Sequence, residues 1–448
     1  MKIPSIVANN SIKLLSGLAN NDDSLASMIV KDWMSDGATV YTYKKQGGKD
    51  DAREKAIEEF GTGAVWLFGI PTIKKIINKT IYPLFNLNAE FDPRILDNKE
   101  RVSKITEILN DSKNPILDNQ KQVFNSLGET AKKYKGFAIG KFLIATALSA
   151  VALTGIIKLK QKTTNERIEK ELEKTSKNIK PETPLEKSIN QNKNFELFTG
   201  KNKNSSISFT GGFAKELAEF MYNPIKNTMI LDGVITTTRL KEARKGERFE
   251  VGLKEVFQII FIYCLAKPFQ KMFEGIGNKL NCPIELDPKV LFSKDLKEKI
   301  KNSKDAMSNL ENSKDILEDL TKIDIKNPLI ELLDKNGAIS TIKKKGSDEI
   351  LALNFLKPID DDFVKETIKN IKKLGEKIDN LGNIKKYKTF AVIANVVGVA
   401  TIMGIFQPMI NIWLRKLMHN GDNRNPAIAQ QEEKMYEIKM KTNQIHQG

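Results

Sequence analysis

Histidine and cysteine are almost absent from this chain of 448 residues, which contains two of each. His419 and His446 both lie in the polar C-terminal region, so a catalytic triad or a zinc site built on histidine has little material. Cys264 lies in an apolar run and Cys282 in a proline-containing loop, and we expect two separate thiols. A disulfide framework is therefore not predicted.

Motifs of known catalytic classes are missing as well. The sequence has no GxSxG, HExxH or CxxC pattern, and its Gly-Lys stretches, QGGKD and TGKNKNSS, lack the first glycine and the following Ser or Thr of a phosphate-binding loop. The acidic groups Glu58-Glu59 and Asp360 to Asp362 are interpreted as helix-start and loop charges. We expect no enzymatic activity, no cofactor and no metal site.

Charge indicates an anionic partner. The formal net charge is +16, and lysine outnumbers arginine along the whole sequence. Arginine is the residue that reads bases and clamps phosphates in pairs of hydrogen bonds, and a nucleic-acid module gathers its charge on one stripe. The charge therefore favours anionic lipid headgroups as partner and disfavours nucleic acid.

Two long apolar runs are the strongest signal. Phe390 to Leu414 has no charged residue, and Phe137 to Ile157 has only Lys141, close enough to one end to reach the headgroups. Each is long enough to cross a hydrocarbon layer of about 30 Å. Both runs are predicted to be transmembrane helices. The alternative is the buried core helix of a large soluble protein.

Basic and aromatic residues flank both runs, as is typical of a membrane interface. The predicted interface anchors are Lys132, Lys133, Tyr134, Lys135, Lys385, Lys386, Tyr387, Lys388, Trp413, Arg415 and Lys416. Small and polar residues within the runs let helices approach closely in lipid. The predicted helix-packing residues are Ala145, Ser149, Asn395, Gly398 and Gly404.

Two shorter apolar runs precede the long ones. Residues 60–73 and 256–266 have lengths that suit a re-entrant, interfacial or buried helix as well as a full crossing. Pro71 and Pro268 are expected to end or bend these helices, and Pro408 to kink the second long one.

The two halves of the chain resemble each other. KKYKGFA at 132–138 recurs as KKYKTFA at 385–391, and Asp36-Gly37 recurs as Asp232-Gly233, an offset of 196 residues (232 − 36 = 196). DPRIL after Phe91 recurs as DPKVL after Leu286, and an Asp before Pro predicts a helix start in both places. Because the matches keep their order, the sequence indicates a tandem duplication.

These patterns predict an all-α integral membrane protein of two repeats, each with one short and one long apolar helix. The first repeat covers 1–159, a polar linker 160–208, the second repeat 209–416 and a polar tail 417–448. A helical insertion at about 289–385 contains a repeated NSKD and is expected to form a peripheral, partly exposed helical hairpin.

The sequence leaves three functional classes open. A non-enzymatic membrane scaffold that engages anionic lipid is favoured by the basic flanks and the missing catalytic residues. A small transporter or channel, acting alone or as an oligomer, is favoured by the duplication, although its spans carry almost no ionisable residue. The third is a soluble basic helical binding protein. For the first two, we expect a multi-pass protein of two to four spans in a bacterial inner membrane.

Overall fold

Helices make up 80% of this protein and strands 2%, which agrees with the all-α prediction. The computed structural model describes residues 5–19, 25–177, 224–244, 247–261 and 266–418, with residues 421, 425, 429, 433 and 437. Most of the predicted linker, the start of the second repeat, nearly all of the tail, both histidines and Cys264 lie outside the described residues.

The first half of the chain contains seven of the described helices. They are α1 (Ser5–Ala19), α2 (Leu25–Gln46), α3 (Lys49–Ala64), α4 (Ile70–Leu84), α5 (Lys99–Asp111), α6 (Asp118–Asn125) and α7 (Leu127–Lys177). The first part of the predicted linker is therefore the continuation of α7.

The second half begins with α8 (Pro224–Glu242), α9 (Arg248–Ile259) and α10 (Ala266–Lys279). The insertion follows, with α11 (Pro288–Leu291), α12 (Leu296–Asn302), α13 (Lys304–Glu311), α14 (Ile316–Lys322), α15 (Pro328–Lys335), β1 (Thr341–Lys343), β2 (Ile350–Leu353) and α16 (Asp361–Glu376). The last helices are α17 (Leu381–Thr401) and α18 (Gln407–Met418). The antiparallel pair β1 and β2, with Thr341 opposite Leu353, was not predicted.

Pro71 and Pro408 do not end their helices, whereas residues 262–265, just before Pro268, lie outside the described part of the chain. The π-helical turn Val65–Gly69 joins α3 to α4 just before Pro71, and the π turn Ile402–Phe406 joins α17 to α18 just before Pro408. A π turn carries one surplus residue and so accommodates the missing N–H of the proline without breaking the helix. The predicted short helix 60–73 is thus the middle of one helical segment from Lys49 to Leu84.

Each half forms an antiparallel pair of long helices. In the first half, Thr164 of α7 donates to Glu54 Oε1 at 2.5 Å, and Phe137 near the other end of α7 lies 5.6 Å, centroid to centroid, from Tyr82 of α4. In the second half, Arg415 contacts Glu250, while Tyr387 Oη donates to the Phe273 carbonyl at 3.1 Å. The segment α3–α4 therefore runs against α7, and α9–α10 against α17–α18.

The first long helix of each half packs against the other half. Thr42 of α2 donates to the Gly404 carbonyl at 3.2 Å, and Gln161 of α7 donates to the Glu242 carbonyl of α8 at 2.9 Å. The two halves are therefore interlocked through α2 and α8.

Residues 86–126 and 281–380 pack together into a region that we call the head domain, and its core continues into the adjoining ends of the long helices. Leucine and isoleucine side chains from both parts build its core, with Leu109, Leu310, Leu320, Leu329 and Ile368 at most 1% exposed. The insertion was expected to form a peripheral, partly exposed hairpin. α13 and α14 bury their apolar faces in this core and expose their polar faces.

The two Asp-Pro sites begin helices in the head domain, as predicted. Asp92 accepts the backbone N–H of Arg94 at the start of a 3-10 helix, and Asp287 accepts that of Lys289 at the start of α11. Asp360 likewise caps α16 by accepting the N–H groups of Asp362 and Phe363.

Two helical segments, Leu127–Arg167 and Ile378–Met418, are long and apolar enough to cross a membrane. In the most apolar part of each, 28% and 44% of the residues are buried in the protein. The other residues of each stretch are half-buried or exposed.

Candidate functional site

A network of buried charged residues lies at the end of the helical bundle opposite the head domain. The distance is roughly 40 Å, because α7 runs from Tyr134 at the head to Lys160 in the network. The charge network consists of Asp51, Glu54, Lys55, Glu58, Glu59, Lys160, Arg239, Arg244, Glu247, Glu250, Lys254, Glu255 and Arg415.

Two arginines tie the halves together in the network. Arg415 Nη1 lies 2.5 Å from Asp51 Oδ2 and its Nη2 lies 2.5 Å from Glu250 Oε2. Arg244 Nη2 lies 2.5 Å from both Glu54 Oε2 and Glu247 Oε1. Each arginine thus binds one carboxylate from α3 and one from the α8–α9 region.

The remaining pairs run along α3. Lys160 Nζ lies 3.1 Å from Glu58 Oε2, while Lys254 is paired with Glu59. Arg239 is paired with Glu255 and donates from Nη2 to Thr62 Oγ1 at 2.8 Å. The buried acids of the charge network therefore have basic partners. This pairing offsets the free-energy cost of removing charged groups from water.

The electrostatic balance is clearest at Glu250. Burial alone would raise its pKa, but Lys55 and Arg415 beside it hold the pKa of this carboxyl at about 2. Tyr43 Oη also donates to Glu250 Oε1 at 2.5 Å. Glu250 is therefore an anion at neutral pH although it is buried.

Beside the charge network a pocket opens between α2, α3, α8 and α9. It is open to solvent, and the centre of a water-sized sphere can occupy about 60 Å³ of it. Its carboxyl groups are Asp32, Asp36, Glu59, Asp232 and Glu255, and its apolar wall is formed by Met28, Ile29, Trp33, Ile235 and Ile259. We call it the acidic pocket.

Asp36 differs from Glu59 and Glu255, which are paired with Lys254 and Arg239. Its side chain is 3% exposed, yet within the described part of the chain it makes no hydrogen bond or ion pair. Gly63 faces it across the pocket. A Cβ at Gly63 would lie 3.0 Å from Trp33 Nε1 and 3.7 Å from Asp36 Oδ2, so glycine keeps this corner open.

The pocket and the charge network take matching positions from both halves. Asp36 and Asp232 stand in the Asp-Gly pair that indicated the duplication, and both line the pocket. At the same offset Glu59 is matched by Glu255, which also lines it. Further matches at this offset, in the charge network, pair Asp51 with Glu247 and Glu54 with Glu250.

Sequence reasoning missed this site. Glu58 and Glu59 were interpreted as helix-start charges, and this was wrong because both lie in the second half of α3 and are 2% exposed. The signal that would have found them is the constant offset itself, which continues from Asp36 to acidic residues on the next helix.

The predicted interface anchors fall into two groups. Lys132, Lys133, Lys386, Trp413 and Lys416 are exposed. Lys135 and Lys385 are half-buried, with Lys135 Nζ 2.7 Å from Asp97 Oδ1 and Lys385 Nζ 5.2 Å from the centre of the Phe292 ring. An anchoring role for the exposed group stays a prediction.

The other anchors are directed into the protein. Tyr134 is 2% exposed and accepts the Asn88 N–H, and Lys388 donates to the Ile284 carbonyl at 2.6 Å. Tyr387 is half-buried against Phe273. Arg415, predicted to face headgroups, is 2% exposed in the charge network because two carboxylates hold it there. The repeated basic-aromatic motif therefore joins each long helix to the residues around the head domain.

The predicted helix-packing residues lie on inward or half-buried faces. Ala145, Ser149, Asn395 and Gly404 are buried and Gly398 is half-buried. Gly404 is in contact with α2, where a Cβ would come within 2.6 Å of the Ser35 carbonyl oxygen.

Comparison with known proteins gives no relative. No protein-family description, no curated protein and no solved structure matches this chain. Among the described residues, no group of three or more His, Cys, Asp or Glu side chains is arranged to hold a metal ion. Any functional assignment therefore depends on the acidic pocket and the surfaces around it.

Proposed function

We propose that this chain is an integral membrane protein whose two repeats form a carrier for small cationic solutes. The observation that carries the proposal is the acidic pocket, where matching carboxyl groups of the two halves meet. Carriers built from repeats place their solute site at the contact between the repeats. An excess of carboxyl groups within a partly apolar wall favours a cation that also has an apolar part.

The outward surface of the long helices supports a membrane location. Val151 is 70% exposed, and Phe390, Ile393 and Trp413 are between 51% and 59% exposed. The core helix of a soluble protein buries such side chains, whereas lipid covers them at no cost in hydration. This exposure disfavours the soluble binding protein that the sequence left open.

The order of helices supports the duplication. Each half has a first helix, a helical segment with a proline after its apolar stretch, an Asp-Pro helix start and a final long apolar helix. The exchange of α2 and α8 between halves is the same in both directions. When each repeat packs one helix against the other repeat, equivalent residues of both can line a single site.

The lining of the pocket favours a primary ammonium ion with a short apolar body. An ammonium group donates three hydrogen bonds, which carboxylates accept, and an aromatic ring such as that of Trp33 in the pocket wall attracts a cation. Met28, Ile29 and Ile259 then cover the apolar part.

A scaffold that engages anionic lipid is the second candidate. The exposed side chains of Lys132, Lys133 and Lys386 favour it, because each lysine near an anionic surface contributes about 1 kcal/mol. A scaffold role involves no solute, so it does not explain the acidic pocket. A bacterial inner membrane and a homo-oligomer remain part of either proposal.

Uptake into reconstituted vesicles tests the carrier. Purified protein in lipid vesicles should accumulate radiolabelled ethylammonium, and Asp36→Asn or Asp232→Asn should abolish uptake. Asp348→Asn is the matched control, because Asp348 is an exposed aspartate of the head domain far from the pocket. If folded wild-type protein moves none of ethylammonium, butylammonium and guanidinium, the carrier proposal fails. Binding to anionic but not neutral vesicles would then support the scaffold.

A further inference from the structure

Among the described residues, no basic side chain forms an ion pair or hydrogen bond with the buried carboxyl of Asp36, although Lys254 and Arg239 lie near it. The nearest bases are already engaged: Arg239 is bound to Glu255 and Thr62, and Lys254 to Glu59. The charged and titratable groups that face Asp36 from α2, α3, α8 and α9 are Asp32, Glu59, Asp232, Arg239, Lys254 and Glu255.

An isolated carboxylate away from water is strongly unfavourable, so such a group takes up a proton or a counter-ion. The position of Asp36 beside other carboxyl groups adds to this, since acids that share a site do not all ionise. Without a bound cation, a proton is the simplest way to satisfy it.

We infer that Asp36 exchanges one proton for one ammonium solute, an inference that rests on the cation pocket proposed above. When the solute enters, the O–H bond of the Asp36 carboxyl breaks and the proton leaves to water. The carboxylate then accepts hydrogen bonds from the ammonium group. The net charge of the occupied site equals that of the empty, protonated site.

Electrical neutrality matters inside a membrane. A carrier that changed its charge on loading would have to move an uncompensated ion through a medium of low dielectric constant, whereas the exchange keeps the site at constant charge in both states. A proton gradient would therefore drive the solute in the opposite direction.

The test measures protonation and binding on the same purified full-length protein in lipid nanodiscs. Infrared difference spectra report the C=O stretch of a protonated carboxyl, and a weakly buffered solution with a pH indicator reports released protons. Ethylammonium chloride is the probe, and isothermal titration measures its binding. Asp36→Asn removes the titrating group with little change of shape, Asp36→Glu restores a carboxyl, and Asp348→Asn is the control.

We expect ethylammonium to remove the protonated-carboxyl band and to release about one proton per bound ion in the wild type and the control. Asp36→Asn should show neither signal, and Asp36→Glu should recover proton release. Binding without proton release would overturn the exchange and leave the cation pocket intact. Failure of the wild type to bind ethylammonium would overturn the pocket itself.

Discussion

Arg244 and Arg415 hold equivalent places in the charge network, because each binds one carboxylate from the first half of the chain and one from the second. Arg415 binds Asp51 and Glu250. Arg244 binds Glu247 and Glu54, which occupy the positions equivalent to these two acids in the opposite halves. The halves are thus joined by two ion triplets, each made of one arginine and two carboxylates.

Removal of Arg415 should destabilise the protein strongly. Arg415→Ala leaves Asp51 and Glu250 buried without their partner, and the free energy of unfolding should fall by about 3–5 kcal/mol. Urea titration in mild detergent, followed by circular dichroism, measures this change. Lys416→Ala, at the exposed neighbouring residue, should change it by at most about 0.5 kcal/mol. Equal effects of the two substitutions would contradict a structural role for the triplets.

Acid should weaken the charge network through Glu250. Because its folded pKa is about 2 and its ordinary value is 4.5, Glu250 stabilises the fold above about pH 4.5 and this contribution is lost as the pH falls toward 2. The difference in unfolding free energy between wild type and Glu250→Gln, measured by urea titration at several pH values, should shrink over that window. The same difference for Glu349→Gln, at an exposed site, should stay small throughout. A pH-independent difference at Glu250 would argue against its low pKa.

A methyl group at Gly404 should disturb the contact of α2 with the end of α17. Its Cβ would lie 2.5 Å from Ala38 Cβ and 2.6 Å from the Ser35 carbonyl oxygen, so backbone must move. We expect Gly404→Ala to lower the midpoint of thermal unfolding, with a loss of about 1–3 kcal/mol. Gly398→Ala meets only Phe269 at 3.9 Å and should be neutral or slightly stabilising. The prediction fails if both variants unfold alike.

Lipid should protect the outer face of α7 from water-soluble reagents. In a variant without Cys264 and Cys282, we expect Val151→Cys to resist a charged maleimide in intact membranes, although residue 151 is 70% exposed on the protein surface. Asp348→Cys, in the exposed β1–β2 turn, should react once its side of the membrane is open to the reagent. Detergent concentrations that strip lipid should make residue 151 reactive. Rapid labelling of both residues in washed, open membranes would indicate a soluble protein.

Local rules predicted much of the chain correctly. Asp92 and Asp287 begin helices because aspartate accepts the free N–H groups of the first turn. The long apolar runs form long helical segments, and the second continues past Pro408 through a π turn. These outcomes depend on neighbours within a few residues, and a sequence shows such neighbours directly.

The site could not be predicted in this way. Arg415 looked like an interface anchor because it follows an apolar run, yet its partners Asp51 and Glu250 stand far away in sequence. The apolar faces of α13 and α14 likewise gave no sign that residues of the first half would complete their core. In both cases the position of a side chain depends on contacts between residues far apart in sequence. The hydrophobic periodicity of a single segment does not show such contacts.

Because the π turn Val65–Gly69 contains one extra residue, α3 and α4 bury different sides of the same helical segment. Below the turn the buried side chains are ionic, with Glu54 and Glu58 in the charge network, and above it they are apolar, with Ile70 and Ile77. One extra residue rotates all later side chains by about 100° around the helix axis. Deletion of a single residue here would therefore leave one of the two faces intact and turn the other away from the residues that it now contacts.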